Sequence, residues 1–225
     1  MKTLLYFVPL CGVLLIAAPA MAQETPKKKE GFGWYVGAYG GVAIPETFDN
    51  VRTDSFSIGD LKLKTGSMFG AKFGFTGHSK DQVWRYFGAE LDLSITNTAI
   101  RAQSWRVSGG GLNGSIPASQ ADLRFFTTAL HFMARWPDGP VRPYVGAGPA
   151  IVHGSVSRVQ LGGIPVGDSS GTSIGLSAVA GVGVKIKDQF GMFVEYKQIR
   201  AAMEFDNLKG DAVVHAGVVG VNVSF

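Results

Sequence analysis

The chain has 225 residues, of which 46% are hydrophobic and only 17% charged, whereas soluble domains carry about 25% charged residues. Its formal net charge of +4 is small and spread along the chain, which argues against nucleic acid as a partner. Gly occurs 31 times without a collagen-like period and Pro only 10 times, so the chain is neither a fibre nor a disordered linker. The length suits one domain or a modest pair.

The first segment has the organisation of an export signal. Lys2 precedes an apolar stretch from Leu4 to Ala20, and Ala20-Met21-Ala22 supplies the small residues that a signal peptidase recognises. The apolar stretch is short for a membrane-spanning helix and contains two prolines, which favours cleavage over anchoring. We therefore expect residues 1–22 to be a cleaved signal peptide.

The single cysteine, Cys11, lies inside that apolar stretch. It is not preceded by small residues at the end of the signal, where a lipoprotein would need it. Removal of residues 1–22 leaves a chain without cysteine, and hence without a disulfide or a thiolate metal site. Residues 23–31 (QETPKKKEG) are polar and charged and are predicted to form a flexible N-terminal arm.

Strict alternation of apolar with small or polar residues dominates the chain after Gly31. In residues 87–95 (FGAELDLSI), for example, every second residue is apolar, which is the pattern of a β-strand with two different faces. Eight such strands are predicted, at residues 33–44, 65–77, 84–97, 122–136, 141–156, 173–187, 189–201 and 213–225. No segment shows a sustained helical period.

The connections between these strands alternate in length. Tight turns are predicted at residues 78–83, 137–140 and 187–188, and long loops rich in Gly, Ser, Asp and Asn at 45–64, 98–121, 157–172 and 202–212. An even number of strands with short turns at one end and long loops at the other is typical of an outer-membrane barrel. The sequence therefore predicts an all-β fold over residues 32–225, an eight-stranded antiparallel up-and-down barrel with periplasmic turns and extracellular loops.

Side-chain size predicts which face of the strands points outward. In each strand, alternate residues belong to one of two faces, and the residues of the apolar face are called here the apolar parity. This parity includes nine large aromatic residues: Phe69, Phe73, Phe75, Phe87, Phe132, Trp136, Phe190, Tyr196 and Phe225. An eight-stranded barrel is only just wide enough inside for its side chains, so nine aromatic rings would overfill it. We therefore expect this parity to face lipid. A soluble lipocalin-like barrel, with the same parity turned inward, is the alternative.

The opposite parity is predicted to line the lumen. It carries Lys72, Glu90, Asp92, His131, Arg135, Lys185, Glu195 and Lys197. Four cations against three anions predict a salt-bridge network instead of an open aqueous pore, because buried charges must be paired. Tyr35, Tyr39 and Tyr144 are expected to fill the remaining interior, with their hydroxyl groups hydrogen-bonded.

Several segments resemble the small outer-membrane β-barrel proteins, the family that includes the OmpA transmembrane domain and opacity-type surface proteins. Residues 34–41 (WYVGAYGG) resemble the first strand of that family, residues 142–148 (RPYVGAG) its fifth and residues 193–197 (FVEYK) its seventh. Phe225, preceded by alternating valines, is similar to the C-terminal signal read by the barrel-assembly machinery. The resemblance implies export through the periplasm into the outer membrane of a Gram-negative-type bacterium.

Aromatic residues at the predicted ends of strands are expected to anchor the barrel at the membrane surface. Trp34, Trp136 and Phe225 lie at the periplasmic ends of their strands. At the extracellular rim, solvated loop charge is the favoured interpretation of basic residues such as Arg101 and Arg106. Pairing with phosphates of lipopolysaccharide is the alternative.

Two motifs have the spacing of known sites of chemistry. Gly109–Gly114 matches the G-x-G-x-x-G spacing, but Ser115-Ile116-Pro117 follows it, where a dinucleotide site needs a helix. His153 and Ser155 share the outward parity of one strand and resemble the His-x-Ser pair of lipid A deacylases. Val156 stands where that family has asparagine, and the next strand offers no carboxylate to orient the imidazole.

The sequence thus favours a non-enzymatic outer-membrane barrel with a structural or surface-interaction role, in adhesion or envelope integrity, through its four long loops. Outer-membrane lipids, lipopolysaccharide and an extracellular ligand are the expected partners. His131 and His215 are isolated in the sequence, so no metal site is predicted, and no cofactor. A narrow solute channel and a lipid A esterase using His153 and Ser155 are the alternatives.

Overall fold

The computed structural model describes most of the chain after residue 30. The described residues are 31–46, 57–58, 63–78, 83–99, 105–109, 112–116, 122–157, 159–161, 164–166, 169–187, 189–205 and 208–225. The predicted signal peptide, and the predicted arm except for Gly31, lie outside them.

Eight long strands form the body of the protein. They are β1 (Gly31–Pro45), β2 (Gly66–His78), β3 (Phe87–Ala99), β4 (Asp122–Arg135), β5 (Val141–Ser157), β6 (Ser169–Lys185), β7 (Phe190–Phe205) and β8 (Leu208–Ser224). Each strand pairs antiparallel with its sequence neighbours, and β1 pairs with β8 to close the barrel. Closure removes the unpaired sheet edges that hydrocarbon does not tolerate. The predicted eight-stranded antiparallel barrel is confirmed.

The structure corrects the prediction at several connections. The long loop predicted over 202–212 is wrong, because β7 and β8 stay paired as far as Phe205 and Leu208. The predicted loop 98–121 contains a hairpin of Trp105–Gly109 with Leu112–Ile116, and Ser57–Ile58 pairs with its first strand.

The remaining corrections are smaller. The described residues of the Gly109–Gly114 motif belong to the strands of that hairpin. In the predicted loop 157–172, Val159–Leu161 pairs with Ile164–Val166. The third barrel strand begins at Phe87 and not at residue 84, because Trp84–Tyr86 forms a 3-10 turn. Among the described residues, no helix is long and apolar enough to cross a membrane.

Two periplasmic turns contact each other. Gly139 adopts a φ of 81° in the turn between β4 and β5, a left-handed conformation that glycine accepts without strain. Asp138 of this turn forms an ion pair with Arg85 of the 3-10 turn before β3. Tyr86 packs edge-on against Trp136, with ring centroids 5.6 Å apart. The two turns therefore support each other at the periplasmic end.

Apolar side chains cover the outer wall of the barrel. On β1 the outward positions run from Trp34 to Ile44, and both end residues are exposed. Of the nine aromatic residues predicted to face lipid, eight are exposed, and Phe75 is half-buried against Trp34 with ring centroids 5.3 Å apart. The outer wall thus presents rings and aliphatic groups over most of its height, as a lipid-facing surface requires.

Three inward tyrosines lie directly opposite glycines of a neighbouring strand. Tyr35 pairs with Gly74, Tyr39 with Gly70, and Tyr144 with Gly181. A Cβ atom added at Gly74 would lie 2.4 Å from the Tyr35 hydroxyl oxygen, so the ring occupies the space that the missing side chain leaves. The narrow lumen therefore accommodates each ring by placing a glycine across from it.

Candidate functional site: the charged lumen and the extracellular rim

A network of buried charged and hydroxyl groups fills the middle of the barrel. The Tyr35 hydroxyl donates to Glu90 Oε2 at 2.6 Å, and Lys72 Nζ lies 3.3 Å from Glu90 Oε1. The same Lys72 ammonium donates to Glu195 Oε2 at 2.8 Å. Because β2 and β7 are not neighbours in the sheet, the Lys72–Glu195 bond crosses the lumen.

Lys197 extends this network towards the extracellular side. Its Nζ lies 2.5 Å from Asp92 Oδ2 and 3.1 Å from Glu195 Oε1, and only 1% of Lys197 is exposed. The Tyr39 hydroxyl donates to the other oxygen of Asp92 at 2.8 Å. Each of the three carboxylates in this network, those of Glu90, Asp92 and Glu195, therefore contacts at least one ammonium.

Aromatic rings complete the surroundings of Lys72. Its ammonium lies 4.2 Å from the ring centroid of Phe193, which is itself buried in the lumen. The Tyr144 hydroxyl donates to Glu195 Oε2 at 2.7 Å, on the same oxygen that Lys72 contacts. The charges are thus held by both hydrogen bonds and ring faces, which compensates part of their desolvation cost.

His131 and Arg135 join the network at its edges. His131 is fully buried, with Nε2 2.9 Å from Ser177 Oγ and Nδ1 3.7 Å from Glu90 Oε1. Arg135 Nη2 donates to the Tyr35 hydroxyl at 2.9 Å, and its guanidinium lies 4.9 Å from the Tyr35 ring centroid. Arg135 is half-buried near the periplasmic opening, so it covers the network from that side.

Lys185 does not belong to the buried set. It has the inward parity of β6 but is the last residue of that strand, beyond the closed part of the lumen, and it is exposed. The expectation that it lies inside the barrel is wrong for this reason. Without it, the network holds three cations (Lys72, Arg135 and Lys197) against the three carboxylates, so the charges are balanced.

Above the charged network, the extracellular half of the lumen is lined by apolar side chains and by buried hydroxyl side chains such as Thr96, Thr127 and Ser173. Its buried inward side chains include Met68, Leu123, Phe125, Val152, Ile199, Ala201, Ala212 and Val214. Only a cavity of about 10 Å³ is left among Phe125, Val152 and Ile199, close to the smallest space that holds one water. In this half the lumen is therefore closed mainly by apolar side chains, which the expectation of a polar interior did not include, together with buried hydroxyl groups.

The His153–Ser155 pair does not have the geometry of a catalytic dyad. Both side chains lie on the outer wall, but His153 Nδ1 contacts Thr172 Oγ1 at 2.8 Å, and Ser155 Oγ donates to the backbone oxygen of Arg124 at 3.5 Å. In the described part of the chain, the imidazole contacts neither the Ser155 hydroxyl nor a carboxylate. The geometry thus provides neither of the two contacts that activate a serine.

His215 is not isolated, although it is isolated in the sequence. Its Nε2 lies 2.6 Å from Glu46 Oε1, and its Nδ1 lies 2.5 Å from the Tyr196 hydroxyl. The His215 and Tyr196 rings stack with centroids 5.9 Å apart. This chain of contacts joins β7, β8 and the residue that follows β1, so it ties together the strands on both sides of the barrel closure.

The predicted interfacial anchors lie where the sequence places them along the strands. Trp34 stacks on Phe73 with ring centroids 5.3 Å apart, and the backbone nitrogen of Phe225 donates to the Trp34 oxygen at 2.9 Å. Trp34, Trp136 and Phe225 are all exposed at the periplasmic end. Their anchoring role stays a prediction. Arg101 lies outside the described residues, as does the side chain of Arg106.

Metal binding finds no support in the described ranges. There, no group of three or more His, Cys, Asp or Glu side chains is placed so that it could hold a metal ion.

A closed barrel with eight antiparallel strands, an apolar outer wall and paired charges inside is the architecture of an outer-membrane β-barrel protein. The sequence model described as "Outer membrane protein beta-barrel domain" matches residues 8–225. The chain belongs to this family. No curated protein matches the sequence significantly.

Several solved structures are similar. Neisserial surface protein A matches with a TM-score of 0.51 and 20% identity, over 87% of this chain and 100% of that one. Ail of Yersinia pestis matches with a TM-score of 0.46 and 16% identity, over 88% of this chain and 100% of that one. The outer membrane protease OmpT of Escherichia coli gives 0.48 and 10%, over 86% and 97%. The likeness to the neisserial protein concerns the fold.

Proposed function

We propose that this protein is a non-conducting, non-enzymatic outer-membrane barrel that serves the envelope or contacts external partners through its extracellular end. One observation carries the proposal: the lumen is filled by two successive layers. The paired charges around Lys72 and Lys197 form one layer, and the apolar side chains around Phe125 form the other. Ions would have to cross both layers, and among the described residues the second offers them hydroxyl groups such as those of Thr96 and Thr127 but no charged partner.

Export and assembly are part of the same proposal. Residues 1–22 would direct the chain to the periplasm and be removed there, and Phe225 would present the terminal signal to the barrel-assembly machinery. In support, Phe225 is exposed at the end of the closing strand, where its side chain is accessible. The bacterium would be of the Gram-negative type. The long loops of the barrel would face the outside of the cell.

Conductance tests this proposal. In planar lipid bilayers the folded protein is expected to show no steady conductance comparable to that of a general porin. The double variant Glu195→Ala/Phe125→Ala, which removes one large side chain from each layer, is expected to raise the ion conductance of the bilayer. The matched control, Val194→Ala/Phe126→Ala, changes the neighbouring outward residues. Its conductance should equal that of the unmodified protein.

Heat-dependent migration on gel electrophoresis would verify that each variant is a folded barrel before it is recorded. Porin-like conductance of the unmodified protein would contradict the proposal and favour a narrow solute channel. Hydrolysis of lipid A ester bonds, lost in His153→Ala, would contradict the non-enzymatic assignment.

A further inference from the structure

The outer wall changes from apolar to polar along a line that crosses four neighbouring strands at their extracellular ends. One row of outward residues, hereafter the polar row, stands in direct cross-strand register: Ser67, Asn97, Arg124 and Ser155. The row two residues towards the periplasm, hereafter the lower row, is also in register: Phe69, Ile95, Phe126 and His153. Three of the four lower-row residues are exposed apolar side chains.

An open cavity lies along the polar row. Its volume is about 670 Å³, and the four polar-row residues line it together with Lys64 and Thr98. These side chains supply a guanidinium, an ammonium, hydroxyl groups and an amide, which can all donate hydrogen bonds. The cavity therefore favours an anionic ligand that also carries hydrogen-bonding groups.

Arg124 is the best placed cation in this cavity. Its Nε donates to Asn97 Oδ1 at 3.0 Å, which holds the guanidinium beside the amide. Its two terminal nitrogens have no hydrogen-bond partner among the described residues. A guanidinium held through Nε can offer both terminal nitrogens to one phosphate group, a bidentate contact that a lysine cannot make.

Lys64 contributes a second positive charge from the adjoining mouth of the barrel. Its backbone nitrogen donates to the Ala99 oxygen at 2.8 Å, and its own backbone oxygen accepts from Thr98 Oγ1, so the segment is fixed while its side chain is exposed. The carboxylate of Asp122 also lines the cavity and repels any anionic group placed beside it. The two positive charges of Arg124 and Lys64 and the one negative charge of Asp122 leave the cavity with a net charge of +1.

The position of the cavity selects an amphiphilic ligand. A phosphate on Arg124 would sit directly above the exposed rings and aliphatic groups of the lower row, which face lipid chains. We propose that this cavity binds the phosphorylated, hydroxyl-rich head of an outer-leaflet glycolipid, with its acyl chains against Phe69, Ile95 and Phe126. The inference rests on the outer-membrane placement in the proposed function and is independent of whether the lumen conducts.

Binding of defined lipids to the full mature chain in detergent micelles tests the inference. Dissociation constants would be measured for lipid A with two phosphates, for the same lipid A with both phosphates removed, for phosphatidylglycerol and for inorganic phosphate. Arg124→Ala is expected to weaken binding of diphosphorylated lipid A about tenfold, the usual effect of losing a charge-assisted contact. Arg124→Lys should recover only part of that loss.

Arg142→Ala is the matched control. The Arg142 Nε also donates to an oxygen, that of Gly139 at 3.1 Å, but it lies at the periplasmic end. Its replacement should leave lipid A affinity unchanged. Unchanged affinity in Arg124→Ala, or equal affinity for dephosphorylated lipid A, would overturn the inference. Equal affinity for phosphatidylglycerol or for inorganic phosphate would overturn the glycolipid assignment.

The two proposals fail in different ways. Arg124 lies on the outer wall, so a loss of lipid A binding in Arg124→Ala should leave the bilayer conductance of the protein unchanged. Porin-like conductance would contradict the closed lumen and leave the lipid measurements valid.

Discussion

Replacing Lys72 by methionine should lower the free energy of unfolding by about 3–5 kcal/mol, the usual cost of removing one partner from a buried ion pair. Lys72 is 4% exposed and its ammonium contacts both Glu90 and Glu195. Methionine keeps the unbranched stem of the side chain but lacks the ammonium, so both carboxylates and the Phe193 ring lose their cation. The loss therefore reports the contacts of the ammonium. Urea unfolding followed by tryptophan fluorescence in lipid vesicles would measure it.

Two further variants test whether the loss of stability comes from unpaired buried charge. Adding Glu195→Gln to Lys72→Met removes one of the carboxylates left behind and should restore part of the lost stability, as a double-mutant cycle detects. Arg85→Met breaks the exposed ion pair with Asp138 and should cost less than about 1 kcal/mol. Equal losses for Lys72→Met and Arg85→Met would contradict a buried network.

Replacing Phe125 by alanine should cost about 3–5 kcal/mol, because it removes a buried ring and leaves a cavity behind. Phe125 is 3% exposed in the extracellular half of the lumen, where strands on all sides prevent collapse around the missing ring. Phe125→Leu fills most of that space and should be milder. The same unfolding measurement in vesicles would rank the two variants.

The adjacent residue provides the control for this prediction. Phe126 points outward and is 44% exposed. In Phe126→Ala, lipid chains can occupy the space that the ring leaves, so only the transfer free energy is lost and no cavity remains. A larger loss for Phe126→Ala than for Phe125→Ala would mean that the inward and outward faces of β4 are reversed.

Alternation predicted most of this fold because each residue step in a strand reverses the face. Where one parity is bulky and apolar and the other is small or charged, as in residues 87–95, the pattern identifies both the strand and its orientation. The same reasoning placed Glu90, Asp92 and Glu195 inside. Lys185 has the inward parity too, but parity says nothing about height along the barrel axis.

The apolar side chains in the extracellular half of the lumen are not predicted by alternation, because the pattern is weak there. In residues 122–126 (DLRFF), the inward Leu123 and Phe125 stand beside an outward phenylalanine, so both faces contain apolar residues. Small inward residues such as Ala201 and Ala212 on other strands make room for these larger ones. That complementarity depends on which strands face each other across the lumen, which the local pattern does not contain.

The Glu46–His215 contact is also absent from the local sequence pattern. The two residues are 169 positions apart in the chain, and only the pairing of β1 with β8 brings their side chains to 2.6 Å. The polar row similarly depends on register between four strands. A local pattern predicts a charged residue near the rim, but alignment of Arg124 with Asn97 follows only from the paired strands.

The most direct test of the account is the environment of outward positions in lipid vesicles. Spin labels attached to single cysteines at Val36, Leu91, Val194 and Val219 lie on four strands, and residues 23–225 contain no cysteine of their own. The account predicts that all four labels are relaxed strongly by oxygen, which dissolves in lipid, and weakly by a water-soluble nickel chelate. Strong relaxation by the chelate at these positions would show a water-exposed outer wall and contradict the assignment of this face to lipid.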